Sequence, residues 1–154
     1  MAAPAYLLDT GILLLSTRAG NASKVIDAQF GLSASSFRPA ICEVSVGELL
    51  AFATANHWGE KRKAELMERL KASLILPISH PGVHQRWADM QSTLQGAGIA
   101  VGQNDLWIAA TASVTGLTVR CRRTRTSSTW WRGASCKPWS SIRRPAWWCH
   151  RVTA

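Results

Sequence analysis

The chain has 154 residues, enough for one domain with a single core, and its apolar fraction of 47% is that of a globular protein. Its formal net charge of +9 is unevenly placed: residues 1–119 hold nine basic and nine acidic side chains, whereas residues 120–154 hold nine basic ones and no acid. No stretch reads as a membrane span, and the most apolar N-terminal run, AYLLDTGILLL, is broken by Asp9 with no positive residue before it, so the expectation is a soluble cytosolic protein without a signal peptide.

In chain order, Ala5 to Leu8 is a short apolar run ending at Asp9 and reads as a buried strand. Thr10 to Arg18 reads as a loop entering a short helix, and Lys24 to Leu32 as a helix. Pro39 to Glu43 is a second strand, followed by a helix from Ser45 in which Val46, Leu49, Leu50 and Ala53 share one face. Gly59 to Leu70 is the clearest amphipathic helix: Leu66 and Leu70 stand four apart, and the Glu/Lys/Arg run of 60–69 reads as its solvated face. Leu74 to Ile78 is a third strand. Val83 to Leu94 is a helix stopped by Gly96 and Gly98, GIAVGQND a loop, and Leu106 to Val114 an Ala-rich buried helix ended by Gly116. Leu117 to Val119 begins a fourth strand. Strands alternating with helices predict an α/β fold with a mainly parallel sheet.

In such sheets ligands bind beyond the carboxyl ends of the strands. Asp9 ends the first strand, Glu48 falls in the first turn of the helix after the second, and Asp105 opens the helix before the fourth, so all three can face one crevice. Three carboxylates in one place repel one another and take up protons unless a cation neutralises them. With no His or Cys among them, the donor set favours a hard ion, Mg²⁺ or Mn²⁺. Such an ion keeps waters, one of which can attack a phosphodiester. The plainer reading is that each Asp only caps a helix N-terminus.

The segments YLLDTGILL, VGELL and NDLWIAATA followed by GLT, in this order and at these intervals, resemble the PIN domain and, within it, the VapC toxins. The likeness spans residues 5–119. It implies a Rossmann-like α/β/α fold, a divalent metal, endoribonuclease activity on RNA, a cognate VapB-type antitoxin and a homodimer. It assigns the catalytic metal-ligand positions to Asp9, Glu48 and Asp105, and neighbouring polar positions that orient carboxylates or water to Thr10 and Asn104. Glu43 lies outside the motif and reads as a strand-end residue facing solvent. His80 and His84 are four apart, but Pro81 and Gly82 between them weaken a zinc reading. Trp87 and Trp107 read as core or interface.

The family usually carries a fourth acid just after the fourth strand, in a segment like Thr-x-Asp-x-Asp-Phe, and then a last edge strand. Residues 120–154 depart from this: they have no acid and no hydrophobic period, and they hold five of the eight Trp and three of the four Cys, leaving Cys42 alone in the remainder. The domain is therefore expected over 1–119, truncated at its C-terminal end, with a disordered tail over 120–154. A frameshift accounts for the change. Read from the third base of each codon, Trp130–Trp131 must give Val, and with permitted codons 122–137 can read Thr-Asp-Lys-Asp-Phe-Glu-His-Leu-Val-Ala-Gly-Arg-Val-Leu-Gln. The code allows this reading without forcing it; the alternative is a genuine Arg/Trp tail for nucleic acid or membrane. Two functions follow: a metal-dependent ribonuclease toxin, or an inactive remnant that keeps antitoxin or RNA binding.

Overall fold

The computed structural model describes residues 6–17, 21–30 and 38–120. Ten elements follow one another: β1 (Tyr6–Leu8), α1 (Thr10–Ser16), α2 (Asn21–Phe30), β2 (Ala40–Cys42), α3 (Glu43–Ala55), α4 (Glu60–Ala72), β3 (Leu74–Leu76), α5 (Pro81–Gly96), α6 (Gln103–Thr115) and β4 (Thr118–Arg120). The four strands form one sheet in the order β3-β2-β1-β4, and every pairing is parallel. This is the α/β architecture the alternation predicts. The disordered tail and the missing edge strand were expected beyond Val119; residues 121–154 lie outside the described part. Arg120 does not, and it belongs to β4, so the strand crosses the expected boundary.

Side-chain alternation divides the core between the two sheet faces. Leu8 and Ile41, which are register partners, point to one face and pack with Ile12 and Leu13 of α1, Ile26 of α2, Leu49 and Ala53 of α3, and Leu66 and Leu70 of α4. Leu7, Ala40, Cys42 and Val119 point to the other face, against Ile108 and Ala112 of α6. Helix α5 covers α6 through Leu94 and Leu106. The small residues Ala109, Ala110 and Ala112 are all buried, and they allow α6 to lie close to its neighbours. Helices on both faces are what a parallel sheet requires, because both of its sides are apolar.

Several boundaries differ from expectation for local reasons. Helix α1 starts at Thr10 with no intervening loop, because Asp9 caps it directly. Helix α3 starts at Glu43, two residues before Ser45, with the acid favourably placed in the first turn. Glu48 consequently sits in the second turn rather than the first. Leu50 is 43% exposed, since Val46, Leu49 and Ala53 already fill the stripe facing the core and Leu50 is a further 100° round. Glu43 is exposed, yet its carboxylate accepts the Ile78 N–H at 3.1 Å and pins the chain leaving β3. Helix α6 begins nearly a turn early, at Gln103, and ends on Gly116 in the left-handed region (φ 72°). Strand β3 is short and open to solvent. It is tied in by Leu74 N–H to Pro39 O (2.8 Å) and by Arg38, whose guanidinium donates to the last carbonyls of α4 and to Ser73 O.

Candidate active site: an acidic crevice at the head of the sheet

The chain winds outward from β1 through β2 to β3, then crosses back to place β4 on the other side of β1. Strand order therefore reverses at β1, the kind of point beside which ligands bind in open parallel sheets. Asp9 occupies that point. Its backbone N–H donates to Arg120 O (2.9 Å), which prolongs the β1–β4 ladder by one bond. Its extended backbone (φ −74°, ψ 153°) makes it the N-cap of α1, and Oδ2 accepts the Gly11 N–H at 3.3 Å. The capping reading and the site reading thus describe the same residue.

Asp105 comes from the first turn of α6. Its carboxylate folds back over Gly102, where a Cβ would lie 3.0 Å from Oδ2, so any side chain at 102 would make the carboxylate give by a few tenths of an ångström. Glu48 comes from α3 and is held from two sides. Thr10 Oγ1, on α1, donates a short hydrogen bond to Oε2, and Asn104 Nδ2, on α6, donates to Oε1 at 2.8 Å. Three helices that are far apart in sequence are thereby joined through one carboxylate.

The electrostatics reflect this gathering. Burial, then the nearby Asp105 charge and to a smaller degree Glu48, push the Asp9 carboxyl up to about 6, against a downward pull from the Gly11 and Thr10 amides. Burial, then Glu48, raises Asp105 as well. The three carboxylates are therefore electrostatic neighbours. Among the described residues, however, no three His, Cys, Asp or Glu side chains are arranged to enclose a metal ion between them. With all-oxygen donors, the set fits an ion that takes one or two carboxylates and keeps water for its other positions. It does not fit a closed protein cage.

The other candidates resolve into structural roles. His80 is the N-cap of α5, and its Nδ1 accepts the Gly82 N–H at 3.1 Å. His84 meets the edge of Trp107 at 5.9 Å. Trp87 and Trp107 stack at 4.9 Å, with ring planes 17° apart, between α5 and α6. Cys42 is a buried free thiol 3.5 Å from Thr111 Oγ1. Two features of the site escaped the sequence reading. One is the role of Gly102, signalled only by its place before the N-D pair. The other is the main-chain bond from Asp9 to Arg120, which leaves no sequence signal. Among the described residues, no helix is long and apolar enough to cross a membrane.

Comparison with known proteins bears on the fold and the family. No curated protein matches the chain. Among solved structures, VapBC2 from Rickettsia felis, bound to a DNA fragment from its promoter, matches with TM-score 0.67 at 21% identity, covering 77% of this chain and 87% of that one. The DNA-bound VapBC of Salmonella typhimurium matches with TM-score 0.66 at 22% identity, covering 76% and 85%. FitAcB from Neisseria gonorrhoeae matches with TM-score 0.58 at 29% identity, covering 77% and 88%. The PIN domain family matches residues 6–119, from the start of β1 into β4. By fold and by sequence, this chain belongs to the PIN domain family.

Proposed function

We propose that the chain is a Mg²⁺-dependent endoribonuclease, the toxin of a VapBC-type toxin–antitoxin pair, acting on RNA in the cytoplasm as a homodimer and restrained by a VapB-type antitoxin. The observation that carries the reading is the convergence of Asp9, Glu48 and Asp105, from three separate elements, on the point where strand order reverses. An arrangement in which burial, and then neighbouring like charge, raises two half-buried carboxyls stabilises nothing by itself; a hard cation offsets both costs by binding the ionised forms. The likeness to VapBC toxin chains supports the choice of nuclease chemistry and of partner.

Asp9 and Asp105 would hold the ion, Mg²⁺ or equally Mn²⁺, and Glu48 would hold it directly or accept a hydrogen bond from its water. When bound, the ion supplies charge neutralisation at a phosphate oxygen and a water of lowered pKa. The protein's own contribution is orientation. Thr10 and Asn104 fix both oxygens of Glu48, so its carboxylate faces the crevice in one pose instead of sampling rotamers. The Gly11 amide holds one oxygen of Asp9 in the same way.

A second reading, an inactive remnant that retains antitoxin or RNA binding, is favoured by one fact: no Asp or Glu follows Asp105 in the sequence. The test is cleavage of single-stranded RNA by the purified chain with Mg²⁺ and with EDTA, alongside Asp105→Asn. Cleavage that needs Mg²⁺ and is lost in the variant supports the nuclease. Cleavage unchanged by EDTA or by the variant overturns the metal assignment. Absence of cleavage with retained antitoxin binding establishes the remnant.

A further inference from the structure

The Trp87–Trp107 stack joins α5 to α6, and we propose that it also serves the site: Trp107 is the platform on which a base of single-stranded RNA stacks, beside the phosphate that enters the acidic crevice. The inference rests on the proposed reading of RNA as substrate, and it starts from the first turn of α6. There Asn104 donates to Glu48 Oε1 at 2.8 Å, so this turn borders the Glu48 carboxylate. Trp107 follows Asn104 by three residues. That spacing puts two side chains on the same side of a helix, with Cβ atoms roughly 5–6 Å apart. Side chains on a helix also lean toward its N-terminus, which carries the Trp107 indole toward the turn that holds Asn104.

The surroundings of the ring suit this use. Trp107 is only partly buried, and it is not among the side chains that pack on the three core clusters of the described residues. Trp87 backs it at 4.9 Å with the ring planes 17° apart, and Trp87 is itself packed against Leu94 and Leu106. His84 meets it edge-on at 5.9 Å. The indole is therefore held in one pose before a ligand arrives, which lowers the entropy cost of binding. The crevice itself offers a base only carboxylates, a hydroxyl and an amide, and no ring. An unpaired base gains most from an aromatic face, whatever its identity. Base and phosphate of one nucleotide are joined through a single sugar, so a phosphate at the crevice brings its base to the neighbouring turn.

The test is the affinity of the full 154-residue chain for a short single-stranded RNA in EDTA, read by fluorescence anisotropy, so that metal-dependent cleavage does not enter. Trp107→Leu keeps apolar bulk and removes the aromatic face. It should weaken binding about tenfold, whereas Trp107→Phe should keep most of the affinity. Replacing single nucleotides of the RNA by abasic ones should weaken the parent by a similar factor at one position. The same replacement should leave Trp107→Leu unmoved, because both changes remove one contact. Equal affinity of parent and Trp107→Leu, or an abasic scan that treats the two alike, overturns the proposal. If Trp107→Leu fails to fold, the scan of the parent against Trp107→Phe decides, and a parent with no sensitive position overturns it. A Trp107→Leu chain that passes from dimer to monomer while holding RNA equally well also overturns it, and assigns the ring to a contact between copies. Base-dependent binding without Mg²⁺-dependent cleavage keeps the platform and rejects the nuclease. Mg²⁺-dependent cleavage with no response to Trp107→Leu in binding does the reverse.

Discussion

Among the described residues, charge gathers on α4 and in the crevice, and the two places behave oppositely. On α4, Lys63 Nζ lies 3.1 Å from Glu60, and Lys71 Nζ lies 2.7 Å from Glu68. In both pairs a charge meets its opposite three residues away, in water. In the crevice, Asp9, Glu48 and Asp105 meet their own kind, partly out of water, and two of them are driven up in pKa. The first arrangement keeps a helix soluble and commits it to nothing. The second costs stability in the free protein and returns it only when something positive arrives. Sign and burial, not the number of charges, separate a surface from a site.

The largest expected effect comes from removing one of the like charges. Asp9→Asn or Asp105→Asn should reduce Mg²⁺-dependent RNA cleavage by about a hundredfold or more, because each deletes an anionic ligand without changing side-chain size. The same substitutions should leave the metal-free fold intact and make it more resistant to urea at neutral pH. Asn still caps α1 at position 9, and a repelling charge is gone. Cleavage at the parental rate in a nuclease-free preparation would sink the assignment. A large loss of stability would mean that the crevice is a structural network and not a site.

The next effect is on pH dependence. Asp9 has a folded pKa of about 6 against an ordinary value of 3.8. The folded protein therefore binds the proton more tightly than the unfolded chain does. The associated stability is fully present below the ordinary carboxyl range and is lost as pH rises through about 6. A shift of this size corresponds to roughly 3 kcal/mol at most. Asp105 is raised as well, so its contribution has the same sign. The metal-free protein should unfold at lower urea concentration at pH 8 than at pH 5, and Mg²⁺ should narrow the difference by binding the ionised form. A midpoint that rises with pH in the absence of metal would contradict the repulsion.

How much of this was legible in the sequence depended on how local its cause was. Strands β1 and β2 show as apolar runs, and α4 shows through Leu66, Leu70 and its charged face, because those signals lie within one element. Asp9 and Asp105 were marked by their places at a strand end and a helix start; Glu48 was expected in a first turn and lies in the second, because α3 starts at Glu43. What stayed hidden were matters of one neighbour against another. Leu50 carries a core residue's chemistry and is exposed only because Leu49 and Ala53 already occupy the stripe. Glu43 gave no sign of its bond to Ile78, thirty-five positions away. Gly102 reads as any loop glycine until the Asp105 carboxylate is seen lying over it.

That glycine gives a subtler test of the crevice. In Gly102→Ala the new methyl would sit 3.0 Å from Asp105 Oδ2, so the carboxylate must shift by a few tenths of an ångström. Fold and charge stay the same while one donor is displaced. Mn²⁺ affinity, followed by electron paramagnetic resonance, should fall several-fold, on the order of 1 kcal/mol, with the urea midpoint little changed. Unaltered affinity would mean that Asp105 does not touch the ion.

The smallest effect is expected on α4, and its smallness completes the contrast. Glu68 and Lys71 are both well exposed, at 72% and 67% of their side-chain surface, and their 2.7 Å contact is the shorter of the two pairs on this helix. Distance alone would rank it as a strong interaction. In water, Coulomb attraction is weak, salt screens it, and two long side chains must be held still to keep it. Glu68→Gln should therefore change the unfolding free energy by only about 0.2–0.5 kcal/mol. The helix dipole works against even that, since Glu68 lies near the C-terminal end of α4, where a negative charge is unfavourable and its removal favourable. The two contributions oppose each other, so the net change should sit near zero. A loss above about 1 kcal/mol would show that Glu68 and Lys71 belong to a larger ion network, and the contrast between this helix and the crevice would then fail at its simpler end.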